Sequence, residues 1–171
     1  MRRQMTAGEL EDFYRRIGAA IWRLQYLEDI LVNFLTLKLV HERRCAGGTV
    51  AMAEAQAQLA EKRKLTLGPL IESCVSKKII SRERVQRFEA FKAERHWLVH
   101  RSMIENGDDL YLASTRDTVF ARIAAIQEEA RALGHLLFQD LQAWITKHGV
   151  SMDRVIRDAD HEMRVLEGLD E

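Results

Sequence analysis

Proline is almost missing from this chain. Pro69 stands alone among 171 residues, and glycine occurs only nine times, which excludes long disordered linkers. No apolar run approaches the roughly 18 residues that a membrane span requires. The opening Met1-Arg2-Arg3-Gln4-Met5-Thr6 leads into an amphipathic pattern rather than a continuous apolar region, so no secretory signal is expected. Cysteine is scarce as well. Cys45 and Cys74 show no metal-ligand spacing, fit a reduced, cytoplasmic setting, and are expected to be small buried hydrophobes. Net charge is zero, with 26 basic and 26 acidic residues, so the chain as a whole is not built to attract polyanions. A glycine-rich phosphate loop, a Ser or Cys nucleophile constellation and a cofactor fingerprint are all lacking. Neither a cofactor nor a metal is therefore expected.

What is present is helical pattern. The chain is 47% hydrophobic, enough for a core, and its length fits one domain over residues 1–171. Thr6 followed three residues later by Glu9 is a capping-box signature. A stripe of Leu10, Tyr14, Ile17, Ile21, Leu24, Glu28, Leu31 and Leu35 follows, spaced by fours and threes, and predicts a helix from about residue 7 to about residue 42. Glu28 occupies a position where leucine is expected. It either reaches solvent at the edge of the stripe or pairs with a buried cation, for which Arg95 is the candidate. Residues 50–64 are rich in alanine and glutamine and read as a helix with small apolar side chains. Pro69 fits the first turn of a short helix ending near Val75. Ser81 caps the next helix, with Glu83 in its first turn. Val85, Phe88, Phe91, Arg95, Leu98 and Val99 share its apolar side.

Asn106-Gly107 between Met103-Ile104 and Leu110-Tyr111-Leu112 predicts a short hairpin-like excursion. A second long helix starts at Thr115 or Asp117, carries Val119, Ile123, Ile126, Ala130, Leu133, Leu137, Leu141 and Trp144 on one face, and ends before Gly149. Ser151 caps a final acidic helix over 151–171. Trp22, Trp97 and Trp144 read as core or interface anchors. The fold class is all-α: a bundle of about five helices over residues 8–148, its two long helices antiparallel, with the acidic helix appended. Residues 61–101 carry an excess of six positive charges and residues 150–171 an excess of four negative ones. The basic stretch suits a polyanion or a solvated helix face.

Inside that basic stretch lies Arg95-His96-Trp97-Leu98-Val99-His100. An arginine holds a phosphate through its two-pronged fork, and a histidine moves protons near neutral pH. Five residues on a regular helix leave Arg95 and His100 about 140° apart. One straight helix therefore cannot aim both at one phosphate. A frayed last turn, or a second copy across a two-fold axis, would solve this. Simpler roles are a salt bridge from Arg95 to Glu28 or Glu94, and a dipole contact for His100 at a helix C-terminus. His96 and His100 also have the spacing of a zinc-binding pair, but no third ligand accompanies them.

The segment Glu94-Arg95-His96-Trp97-Leu98-Val99-His100-Arg101 resembles the motif of the HEPN superfamily (higher eukaryote and prokaryote nucleotide-binding domain). That motif runs arginine, a polar residue, apolar residues, histidine. Leu65-Thr66-Leu67-Gly68 and Leu27-Glu28 are similar to segments of HEPN-like bacterial proteins, and the resemblance spans roughly residues 8–148. It implies an all-α homodimer acting as a metal-independent endoribonuclease in the cytoplasm, in toxin or antiviral biology, with RNA as substrate and an antitoxin or regulatory protein as partner. By the same resemblance, His100 is the general acid and base, Arg95 holds the scissile phosphate, His96 orients the site, Glu28 supports it, and the product ends are 2′,3′-cyclic phosphates. The alternative implied is a relative without activity that serves as a helical dimerisation or scaffold module. The chain departs from the toxin pattern at Ser102, where a tyrosine often follows the motif histidine by two residues.

Overall fold

A computed structural model describes residues 3–149 of the chain, and the proposed acidic helix from Ser151 lies outside them. The described residues are all-α: α1 (Ala7–Cys45), α2 (Met52–Lys62), α3 (Leu67–Ser76), α4 (Arg82–His96), a π-turn (Trp97–Arg101), α5 (Ser102–Asn106), a 3₁₀ turn (Asp108–Tyr111) and α6 (Ala113–Lys147). Since α4, the π-turn and α5 run on without a break, they form one rod. None of the described helices is long and apolar enough to cross a membrane. Contacts divide the chain into two compact units, Met1–His135 and Leu136–Glu171. The division falls inside α6, and the Arg95–His100 segment lies in the first unit.

Local chemistry sets the helix starts. Thr6 Oγ1 accepts from the Glu9 amide at 3.3 Å, and the Glu9 carboxylate accepts from the Thr6 amide at 2.8 Å, which closes the capping box at α1. Ser81 is the N-cap of α4, but its hydroxyl makes no capping bond. Pro69 sits in the first turn of α3, where no intrahelical donor is lost.

The core joins Leu24, Leu27, Leu31 and Leu35 of α1, Leu70, Ile71 and Cys74 of α3, Phe88 and Phe91 of α4, and Val119, Ile123, Ile126 and Leu133 of α6, all nearly inaccessible. The buried face of α1 runs through Ala20, Leu24 and Leu27, so it is rotated from the expected stripe. Leu10 and Tyr14 are exposed instead. Helix α2 buries no residue, as its small side chains foreshadow. Cys74 is buried and Cys45 exposed. Burial pushes the Cys74 thiol up to about 12. Cys45 lies on the last turn of α1, its Sγ 3.3 Å from His41 Nε2, which corrects the expectation of burial for that residue.

Two further expectations are corrected. The long helices run parallel. Arg116 Nη2 meets Glu9 Oε1 at 2.9 Å, Phe120 stacks on Phe13 with centroids 5.8 Å apart, and a Cβ built on Gly134 would lie 3.5 Å from Ile30. Positions therefore rise together along α1 and α6. The rod supplies the reverse direction, since Arg87 pairs with Glu129 and Glu94 with Arg122, antiparallel to α6. The Asn106-Gly107 pair makes no hairpin either. Gly107 has φ −57°, not the positive φ of a hairpin turn. Its glycine serves a close approach, because a Cβ there would stand 2.6 Å from the Met103 carbonyl oxygen. Asn106 is held by Trp97 Nε1, which donates to its Oδ1 at 3.1 Å, while its own Nδ2 donates to Asp109 at 2.7 Å.

Candidate functional site

The π-turn falls inside the Arg95–His100 segment. At its end the Ser102 amide donates to the Trp97 carbonyl, five residues back, where a regular helix would use Leu98 four back. The Ser102 hydroxyl takes the Leu98 carbonyl at 2.8 Å instead. One side chain thus compensates for the shifted backbone bond, since a carbonyl left without a partner is costly. The inner side of the turn is anchored by Leu98 and Trp97, both 4% exposed. The Arg122 guanidinium lies 3.7 Å from the Trp97 ring and grips Glu94 with two bonds of 2.8 and 3.0 Å. Such a stacked, doubly bonded arginine fixes geometry well. The outer side displays His96, Val99, His100 and Arg101, all exposed.

A π-turn inserts one extra residue into the helical repeat. One residue is worth about 100° of rotation, so the ~140° between Arg95 and His100 closes by up to that amount. The rod itself thereby eases the facing problem that the spacing poses.

Arg95 Nε lies 3.5 Å from Glu28 Oε1, with both side chains about a quarter exposed. Glu28 Oε1 is buried without a hydrogen-bond partner, so the pair is held by charge alone. Burial raises the Glu28 carboxyl above its ordinary range, and Arg95 pulls it back only in part. His96 and His100 stack at a tilt of 46° with ring centroids 5.0 Å apart. The four residues fall into two pairs, Glu28 with Arg95 and His96 with His100. Arg95, His96 and His100 lie within the segment around the π-turn, and Glu28 reaches it from α1.

The basic excess of residues 61–101 is offset in space. Glu42 meets Lys77 at 2.6 Å, Asp29 meets Arg63 at 2.9 Å and Glu129 meets Arg87 at 2.5 Å. These carboxylates come from α1 and α6, outside the counted stretch. Among the described residues, no group of three His, Cys, Asp or Glu is arranged to hold a metal ion.

Sequence reasoning passed over Ser102, Arg122 and the surface of α1. Ser102 registered only as a departure from a family pattern, whereas it caps the π-turn. Trp22 is 72% exposed and is not a core residue. Compared with family models, curated proteins and solved structures, the chain matches none.

Proposed function

We propose that the chain is a metal-independent endoribonuclease of the HEPN type. The observation that carries this reading is the π-turn at the Arg95–His100 segment, because such turns interrupt helices at functional positions. In the proposed reaction an imidazole, His100, takes the proton of a ribose 2′-hydroxyl. The 2′-oxygen attacks the adjacent phosphorus, the bond from phosphorus to the 5′-oxygen breaks, and the leaving 5′-oxygen takes a proton back from the imidazolium that His100 has become. The product carries a 2′,3′-cyclic phosphate, and DNA, lacking the 2′-hydroxyl, is inert. Arg95 holds the phosphate and opposes its growing charge. Glu28 keeps that guanidinium oriented until a phosphate arrives, and His96 orients His100 through their ring contact. A second copy of the chain would complete the cleft. Toxin or antiviral biology, with an antitoxin or regulatory protein as partner, is the setting that this chemistry fits.

The test is incubation of the purified protein with total RNA in EDTA beside His100→Ala. Cleavage that survives chelation, leaves 2′,3′-cyclic ends and falls at least about a hundredfold in the variant supports the reading. Equal cleavage by both proteins would sink it. A second reading, a helical interaction module without turnover, is favoured by the exposed aromatic face of α1. It predicts no cleavage by either protein.

A further inference from the structure

A cavity of about 640 Å³ opens where the first turns of α1 meet α5 and the 3₁₀ turn. Its lining residues all belong to the first unit, and none of Glu28, Arg95, His96 and His100 is among them. Its volume lies inside the range of about 300–1,000 Å³ that small-molecule sites occupy.

The wall is apolar and rich in aromatic faces. Phe13, Tyr14 and Tyr111 contribute three rings, and Met5 and Met103 two thioethers. The planes of Phe13 and Tyr14 meet at 44° with centroids 5.9 Å apart, and Phe120 steadies Phe13 by stacking on it at 5.8 Å. Tyr14 is 62% exposed, Met103 75% and Ile104 79%. Such a concentration of wet apolar surface gains by being covered. The wall is also held in place. The Arg3 amide donates to the Tyr111 carbonyl at 2.9 Å, which ties the segment carrying Gln4 and Met5 to the 3₁₀ turn. Thr115 Oγ1 donates to the Asp109 carbonyl at 2.7 Å and fixes the same turn from α6. A site formed in advance loses little freedom when it is filled.

Charge selects the occupant. Glu105 and Asp108 line the cavity, and among the described residues no Lys, Arg or His does. Glu105 meets Arg101 at 3.1 Å with both side chains about half exposed. A pair so exposed contributes little, so Glu105 keeps a charge that a cation in the cavity can meet. An anion would face two carboxylates. A neutral apolar molecule would strip water from them and return nothing. A bare metal ion lacks its ligands, because no group of three His, Cys, Asp or Glu stands ready among the described residues. A weakly hydrated organic cation satisfies both parts of the wall. Its charge meets the carboxylates and the negative ring faces, and its alkyl groups cover the apolar side chains.

We propose that this cavity binds a small organic cation, an alkylated or quaternary ammonium on an apolar body. Glu105 and Asp108 supply the counter-charge, and Phe13, Tyr14 and Tyr111 the ring faces. The inference does not rest on the ribonuclease reading, because it concerns ligand binding and not cleavage.

The experiment is isothermal titration calorimetry of the full chain with benzyltrimethylammonium, phenylacetate and benzyl alcohol, which share a ring and differ in charge. Tyr14→Ala, the double variant Glu105→Gln with Asp108→Asn, and Trp22→Ala are titrated beside it, and thermal melts establish that each is folded. The native chain should take up one benzyltrimethylammonium with Kd below about 1 mM, and the anion and the alcohol should bind at least about tenfold more weakly. Tyr14→Ala and the double variant should each weaken the cation at least about fivefold. Trp22→Ala should not, since that ring is exposed outside the cavity. No saturable uptake of the cation up to about 10 mM would overturn the proposal, as would equal binding of all three probes or binding that neither cavity variant weakens. A peptide carrying trimethyllysine that binds at least about tenfold more tightly than benzyltrimethylammonium would overturn a free molecule as the occupant, since the cavity would then take a protein side chain.

Discussion

Glu28 is a carboxylate whose burial costs more than its arginine returns. Its proton is held more tightly in the folded chain than in the unfolded one. Its contribution to stability is therefore fully present below the ordinary carboxylate value of 4.5 and is lost as pH rises through the raised folded value. Glu28→Gln removes the charge and keeps the shape. The variant should melt about 1–3 °C higher than the native chain at pH 7, and the gap should close by pH 4. Differential scanning calorimetry at the two pH values checks this, and a lower melt at neutral pH would show that Arg95 needs the charge for stability. Under the ribonuclease reading the same variant leaves Arg95 less well oriented and lowers cleavage. Stability and activity would then move in opposite directions, as at a site that stores strain for function.

At the scale of the element, the π-turn is the decisive irregularity of the rod. Deleting Val99 removes the one extra residue and lets the rod close as a regular helix. Helix content by circular dichroism should be preserved. His96 and His100 would then stand three residues apart instead of four, which changes the ring contact now at 5.0 Å, and Arg95 and His100 would stand four apart, about 40° round a regular helix. If the π-turn serves only to face Arg95 towards His100, the deletion should keep the proposed cleavage, and loss of cleavage would assign the π-turn's role to the His96–His100 contact instead. Ser102→Ala is the milder probe: it deprives the Leu98 carbonyl of its side-chain donor at a cost of about 1 kcal/mol.

None of this was visible beforehand, because a shifted hydrogen bond leaves no mark in hydrophobic period or helix propensity. The features that were legible are those carried by neighbours in sequence. Thr6 and Glu9 are three residues apart and cap α1 as their spacing says. The row from Val119 to Leu133 predicts its own burial. Asn106-Gly107 misleads for a related reason: the dipeptide favours a hairpin in isolation, but Trp97 and Asp109 claim the Asn106 side chain and hold the chain in a helical turn.

At the scale of the whole molecule, Glu9 is a tie between distant segments. It accepts from Arg3 with bonds of 2.7 and 2.6 Å, pairs with Arg116 at 2.9 Å and caps α1. The Arg3 bonds first, and then the Thr6 amide, lower its carboxyl to about 2. The stabilisation it provides is present above 4.5 and is lost as pH falls towards about 2. Glu9→Gln should therefore flatten the dependence of the melting temperature on pH across that window, as measured by thermal melts from pH 5 to pH 2. An unchanged slope would show that the contacts at the start of α1 carry no stability. The parallel course of α1 and α6 is the feature least accessible to sequence reasoning. Each helix announces its own apolar face, but nothing local states which direction the other runs, and the default of an up-and-down bundle gives the wrong answer. The candidate site was legible to the extent that Arg95, His96 and His100 are neighbours. Its supports, Arg122 and Ser102, become visible only in three dimensions.

That parallel course also bears on how the chain is made. The partners of Glu9, Phe13 and Ile30 lie about a hundred residues further on, at Arg116, Phe120 and Gly134. At roughly 5–20 residues per second of synthesis, α1 waits about 5–20 seconds after leaving the ribosome before the helix that covers it exists. For that interval the side of α1 that meets α6 stays uncovered, and a chaperone has its opportunity there.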